Sequence, residues 1–125
     1  MICGLGIDCV EIRRIENILN KWGDKFTGRI YSENERFYCE RKAHSSQHYA
    51  VRFAAKEAFL KCLGVGIGDG IAFNHIEVIL DTQGKPMLRL HREARKALKR
   101  INILNVHVSL THTRNYASAV VILER

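Results

Sequence analysis

The chain has 125 residues and a formal net charge of +7 at pH 7, with 46% hydrophobic and 26% charged residues. This length and composition are typical of one globular domain over residues 1–125 that can bury a sizeable core. No apolar run approaches the ~20 residues of a membrane span, and the first residues lack the basic segment of a secretory signal. We therefore expect neither a membrane protein nor an exported one.

Short apolar and amphipathic segments predict the first elements. Residues 2–7 are apolar and β-compatible, which predicts a strand. Residues 11–22 have helical periodicity, with a predicted buried stripe of Ile12, Ile15, Leu19 and Trp22. The opposite side carries Arg14, Ile18 and Lys21, so that an isoleucine lies between two cations on an exposed face.

The middle of the chain is predicted to be helical up to a glycine-rich loop. Ser32 and Glu35 have the spacing of a capping box, which predicts a helix over 33–41. A longer helix over 46–63 ends before Gly64. The loop at 64–70 follows a helix and precedes a strand, which argues against a dinucleotide-binding loop; a loop whose backbone approaches a ligand remains open.

The last third of the chain alternates hairpins with one helix. Strands are predicted at 75–81 and 86–91, then a helix at 92–101, then strands at 105–112 and 116–123. Adjacent strands with short connections favour an α+β fold, an antiparallel sheet with packed helices, over a doubly wound fold.

The positive charge is concentrated in one segment. Residues 81–104 contain seven basic and two acidic side chains. Helix 92–101 collects its cations on one face, which could bind an anion such as nucleic acid or could simply be solvated. The chain has ten aromatic residues without aromatic-basic interleaving, so we expect no nucleic-acid partner. The cations of this face are Arg92, Arg95, Lys96, Lys99 and Arg100.

Two carboxylates occupy unusual places in the predicted elements. Glu57 and Lys61 lie four residues apart on a helix side that also carries apolar residues, and Asp8 follows an apolar strand. Their simplest interpretations are a surface ion pair and a helix N-cap. Together, however, the two carboxylates would suit Mg²⁺, which completes its shell with waters and substrate phosphates. Cations available for such phosphates are Arg52, Lys56, Lys61 and Lys85.

Two sequence blocks resemble a known family. GIDCVEIRRI at 6–15 and RFAAKEAFLKCLG at 52–64 resemble the signature blocks of bacterial holo-(acyl-carrier-protein) synthases, which are 4′-phosphopantetheinyl transferases. Further similarities are GIGDGI at 66–71, GKP at 84–86 and VSLTHT at 108–113. Cys9 and Cys62 replace the family's usual aliphatic residue and alanine, and neither departure touches the polar chemistry.

The resemblance implies an enzyme with a single catalytic domain over 1–125. Such enzymes use Mg²⁺ to transfer 4′-phosphopantetheine from coenzyme A to a serine of apo acyl carrier protein, in fatty acid biosynthesis, and release adenosine 3′,5′-bisphosphate. By analogy, Asp8 and Glu57 would hold the metal and Lys61 would lie beside the coenzyme A phosphates. Further implied coenzyme A contacts are Arg52, Pro86, Ser109 and His112. The family also implies a homotrimer whose coenzyme A site lies between subunits.

The chemistry assigns provisional roles to these residues. The base that deprotonates the serine is either Glu57 or a magnesium-bound water that it orients, while Lys61 neutralises phosphate charge. Arg14, Ile18 and Lys21 would dock an acidic helix of the carrier protein. Four cysteines without a CxxC pair or zinc-ligand spacing favour reduced thiols in the cytoplasm over a disulfide framework.

Overall fold

The computed structural model describes residues 1–64 and 69–125. Most of the predicted loop at 64–70 lies outside these ranges. The described residues form an α+β fold with antiparallel strands, as predicted. In chain order the elements are β1 (Ile2–Glu11), α1 (Ile12–Trp22), α2 (Asp24–Ile30), α3 (Glu33–Glu40), α4 (Ser45–Leu63), a 3₁₀ turn (Phe73–His75), β2 (Ile76–Leu80), β3 (Pro86–Leu90), α5 (Arg92–Arg100), β4 (Asn105–His112) and β5 (Tyr116–Glu124).

The strands form two separate antiparallel sheets. The larger has the order β1-β5-β4, and the smaller is the β2-β3 hairpin. In β5 the residues alternate between the two faces of the larger sheet, and the face toward α4 carries the buried side chains. These core residues are Ala117, Ala119, Val121 and Leu123. None of the described helices is long and apolar enough to cross a membrane.

The first strand is longer than predicted. It continues to Glu11 because Asp8 and Cys9 remain paired with Ala119 and Ser118 of β5. Helix α1 therefore begins at Ile12, with Glu11 in extended conformation as its N-cap residue. Asp8 is therefore not a helix cap, contrary to the simplest interpretation of its position.

The prediction that Trp22 is buried was wrong, and one helix was missed. Ile12 and Ile15 are buried as predicted, but 51% of Trp22 is exposed. Gly23, with φ of 53°, turns the chain immediately after Trp22, and α2 begins at the next residue. The last residue of α1 therefore projects beyond the core.

Other local signals were interpreted correctly. Glu35 donates its backbone N–H to Ser32 Oγ at 3.2 Å, and its carboxylate accepts from the Ser32 N–H at 2.9 Å. Helix α4 ends at Leu63, and Gly64, whose φ is 73°, is its C-cap residue. The four cysteines are free thiols.

Strand β1 lies directly against the backbone of α4. A Cβ atom at Gly4 would lie 2.8 Å from the Cys62 carbonyl oxygen, and one at Gly6 would come still closer to the Ala58 carbonyl oxygen. Side chains two residues apart point to the same face of a strand. Asp8, two residues beyond Gly6, is thereby directed toward α4.

We expect Gly6→Ala to destabilise the protein strongly, because the added methyl group overlaps a helix backbone that cannot move aside. The expected loss is about 3 kcal/mol, or roughly 10 °C in Tm by thermal denaturation. Gly28→Ala is the control, since the nearest atom to its added Cβ would be Arg36 Nη1 at 4.0 Å and alanine favours a helix. Equal Tm values for the two variants would contradict the close approach.

Candidate functional site

Asp8 and Lys61 meet where β1 crosses α4. Lys61 Nζ donates to Asp8 Oδ1 at 3.0 Å and to the Ile7 carbonyl oxygen at 2.9 Å. The Asp8 side chain is only 17% exposed, whereas Lys61 is 53% exposed. Glu57 lies one helical turn before Lys61, on the same side of α4. The structure thus brings together the three residues for which the sequence predicts metal and phosphate chemistry.

Burial and neighbouring charges both act on Glu57. Partial burial raises the pKa of Glu57, and the negative charge of Asp8 raises it further. The positive charges of Lys61 and Arg14 act in the opposite direction. Two carboxylates that repel each other at the edge of the core gain stability when a divalent ion binds both.

The donor set fits magnesium better than zinc. Within residues 1–64 and 69–125, no group of three or more His, Cys, Asp or Glu side chains is arranged to hold a metal ion. A zinc site normally requires three or four such ligands, whereas Mg²⁺ commonly takes one or two carboxylates and fills its shell with waters and phosphates. Asp8 and Glu57 would supply those two carboxylates.

Arg52 lies on a different side of α4 from Lys61. Nine residues separate them, which at 100° per residue puts them on opposite helix faces. The Arg52 side chain is buried, its guanidinium lies 4.4 Å from the centre of the Tyr38 ring, and Nη1 donates to the His48 carbonyl oxygen at 3.2 Å. Its Nε is a buried donor that has no partner among the described residues. One copy of the chain does not bring Arg52 and Lys61 to the same ligand.

The other predicted coenzyme A residues also lie apart. His112 lines a cavity of about 360 Å³ between β4 and the first turns of α4. Ser109 is exposed on the opposite face of β4, paired with Val120. Pro86 opens β3 at the end of the β2-β3 hairpin. These residues do not form one continuous site within a single chain.

Lys56 is not available to a phosphate group, contrary to the sequence-based hypothesis. Its side chain is completely buried, and Nζ donates to Glu35 Oε1 at 2.8 Å. Burial lowers the pKa of Lys56, and the Glu35 carboxylate opposes that effect. Because Glu35 lies 21 residues away on α3, no local pattern could have predicted this pair.

The predicted docking face is larger than expected. Arg14 and Lys21 are exposed on α1, and Ile18 between them is partly exposed. The Lys21 ammonium lies 5.2 Å from the centre of the Trp22 ring. Trp22 also borders an adjoining cavity of about 390 Å³, whose other lining residues all belong to the unpredicted helix α2: Lys25, Phe26, Arg29 and Ile30. Trp22, which was predicted to lie in the core, instead extends this exposed face.

The basic face of α5 has the predicted arrangement. Ala94 and Ala97 are buried, and the five cations of the helix are exposed. This face lies outside the cluster around Asp8, and its charges contribute to the general positive field of the molecule.

Comparisons with known proteins match the whole chain. The family model ACPS, described as the 4′-phosphopantetheinyl transferase superfamily, matches residues 4–121. A holo-(acyl-carrier-protein) synthase of Syntrophus aciditrophicus is 51% identical over 124 residues, covering 99% of this chain and 97% of that relative.

Solved structures give the same result. The holo-(acyl-carrier-protein) synthase of Neisseria meningitidis has a TM-score of 0.91 at 34% identity, with both chains covered completely. That of Helicobacter pylori, solved in complex with coenzyme A, has a TM-score of 0.83 at 33% identity, covering 96% of this chain and 99% of that one. The full-length sequence match, the shared fold and the carboxylate pair on β1 and α4 together establish that this chain belongs to the 4′-phosphopantetheinyl transferase superfamily.

Proposed function

We propose that this protein transfers 4′-phosphopantetheine from coenzyme A to a serine of apo acyl carrier protein, as a holo-(acyl-carrier-protein) synthase in fatty acid biosynthesis. The observation that carries the proposal is the meeting of Asp8, Glu57 and Lys61 at the crossing of β1 and α4. The proposal is further supported by the family membership of the chain and by the coenzyme A complex of the Helicobacter pylori relative.

We propose a separate role in the reaction for each side chain of this cluster. Asp8 and Glu57 would hold Mg²⁺, which stabilises charge on the diphosphate of coenzyme A as a Lewis acid. The base for the serine proton would be the Glu57 carboxylate itself or a magnesium-bound water that Glu57 orients. Lys61, more exposed than Asp8, can turn its ammonium toward the phosphates and neutralise them. Arg52, Pro86, Ser109 and His112 are the proposed coenzyme A contacts.

Glu57→Gln is expected to lower kcat by about 10²-fold or more, because the amide neither accepts the serine proton nor supplies a negative charge for the metal. The measurement is the gain of the phosphopantetheine mass by apo carrier protein incubated with coenzyme A and Mg²⁺. The Tm should remain close to that of the wild type, since Glu57 is at the edge of the core.

The control for this experiment is Glu93→Gln, which removes the same charge from the exposed face of α5 and should leave turnover unchanged. Near-normal turnover in the Glu57→Gln variant would contradict the catalytic role. Absence of mass gain with the wild type would contradict the function itself.

We also propose that the chain acts as a homotrimer. The face of the larger sheet that points away from α4 carries Leu5 and Ile7, which are 65% and 64% exposed. Val120 and Ile122 of β5 lie opposite these two residues and continue the apolar face. Contiguous apolar surface of this kind is typical of an interface, and closed rings of identical subunits are common.

Ile7→Lys should dissociate the proposed trimer, because it puts a charge at the centre of that face. We expect sedimentation velocity to give a trimer for the wild type and a monomer for the variant. Lys99→Glu, a charge change on α5, is expected to leave the trimer intact. A wild-type monomer at micromolar concentration would overturn the assembly.

The proposed partner for the face of Arg14, Ile18, Lys21 and Trp22 is the acidic helical carrier protein. Two cations flank partly exposed apolar side chains, a combination that suits an amphipathic acidic helix. Arg14 is close enough to Glu57 for its positive charge to lower the pKa of that carboxyl group. This proximity supports a docking face next to the proposed catalytic residues.

Arg14→Glu is expected to raise the KM for carrier protein roughly tenfold, since it replaces an attractive charge by a repulsive one. The KM for coenzyme A should stay the same, and added salt should weaken the wild-type encounter. Steady-state kinetics with each substrate varied in turn measures both constants. The control is Arg100→Glu, the same charge reversal on α5, which should leave both KM values unchanged. If Arg14→Glu weakened only the binding of coenzyme A, this docking face would be contradicted.

We propose that the reaction takes place in the cytoplasm. The support is the state of the four cysteines, which are free in the structure. Free thiols are typical of a reducing compartment.

A further inference from the structure

A buried ion pair lies next to Glu57 on the opposite side of α4 from Asp8. Lys56 is one of the largest completely buried side chains in the described part of the molecule, and Glu35 is also completely buried. The lysine ammonium donates to Glu35 Oε1 at 2.8 Å, to the Phe73 carbonyl oxygen at 3.2 Å and to the Ile76 carbonyl oxygen. All three of its protons therefore have acceptors.

Glu35 is held as firmly as its partner. Its Oε1 accepts from the Ser32 backbone N–H at 2.9 Å, and its Oε2 accepts from the Val78 backbone N–H at 3.0 Å. The pair consequently joins α3, α4 and the beginning of β2. A buried charge pair with every hydrogen bond made fixes the relative geometry of the elements that it joins.

Glu57 lies in sequence between two residues that fix the rotation of α4. Lys56 ties the helix to β2 and α3, and Ala58 lies against the backbone of β1 at Gly6. A side-chain end lies about 6 Å from a helix axis, so a 10° rotation of the helix would move the Glu57 carboxylate by about 1 Å. A displacement of that size can lower a catalytic rate substantially.

We propose that Lys56, through its pair with Glu35, is a positioning residue that keeps Glu57 facing Asp8. It also fixes the start of the β2-β3 hairpin, whose far end carries Pro86. This inference rests on the proposed function, because Glu57 is the group being positioned. Lys56 touches no substrate, since its side chain is fully buried.

The test is a double variant, Lys56→Met with Glu35→Gln, which removes both charges and keeps both side-chain sizes. Replacing a buried ion pair as a unit is often neutral for stability, whereas Lys56→Met alone leaves an uncompensated buried carboxylate. We therefore expect the double variant to have a Tm within about 5 °C of the wild type and the single variant to melt at least roughly 10 °C lower.

The double variant is nevertheless expected to have a kcat at least roughly tenfold lower, with the KM for carrier protein changed less than twofold. Its affinity for Mn²⁺, measured by electron paramagnetic resonance as a probe of the two carboxylates, should fall several-fold. A purely structural role predicts that kcat and Mn²⁺ affinity both return to wild-type values once the Tm is restored. That result would overturn the proposal.

Asp24→Asn with Arg36→Met is the matched control. This control removes the ion pair between Asp24 on α2 and Arg36 on α3, whose charged atoms lie 3.2 Å apart. Arg36 follows Glu35 in sequence, but the pair includes no residue of α4. The kcat and the Mn²⁺ affinity should therefore be unchanged. If the double variant does not fold, Lys56→Leu with Glu35→Gln, which keeps an amide oxygen as acceptor at position 35, is measured by the same criteria. A wild type that transfers nothing would contradict the proposed function alone, because the Mn²⁺ comparison would still decide the positioning role.

Discussion

The candidate site depends on how closely the backbone of β1 approaches the backbone of α4. At Gly4 and Gly6 there is no room for a Cβ atom between strand and helix. This approach brings Asp8, on the same strand face, within 3.0 Å of Lys61. A larger residue at Gly6 would move the strand outward and separate the two carboxylates. Gly4 and Gly6 therefore determine how close Asp8 comes to Lys61 on α4.

The same helix is held on its other side by a charged group instead of an apolar one. Lys56 reaches two carbonyl oxygens and a carboxylate on other elements. Apolar packing tolerates small rotations of a helix, whereas a set of directed hydrogen bonds does so much less. If Glu57 reacts as proposed, this constraint gives the buried charge one residue before it a function.

Local patterns predicted most elements, but they did not predict contacts between distant elements. The capping box at Ser32 and the helix end at Gly64 depend on neighbouring residues, so their signals lie within a few positions. Lys56 points into the core because it pairs with Glu35, which is distant in sequence. Trp22 is exposed because the chain turns at Gly23 and begins α2 at the next residue. Asp8, Glu57 and Lys61 stood out in the sequence because charged side chains beside apolar residues suggest a function before their contacts are known, and their roles stay predictions.

The opposite directions of Arg52 and Lys61 have a consequence for assembly. Both residues are proposed to contact coenzyme A, yet α4 separates them, and His112, Pro86 and Ser109 lie on further surfaces. One ligand could reach all these groups only if different copies of the chain supplied them. The exposed apolar face around Leu5 and Ile7 provides a surface through which copies could associate. In the proposed trimer, each coenzyme A site would therefore take residues from more than one copy of the chain.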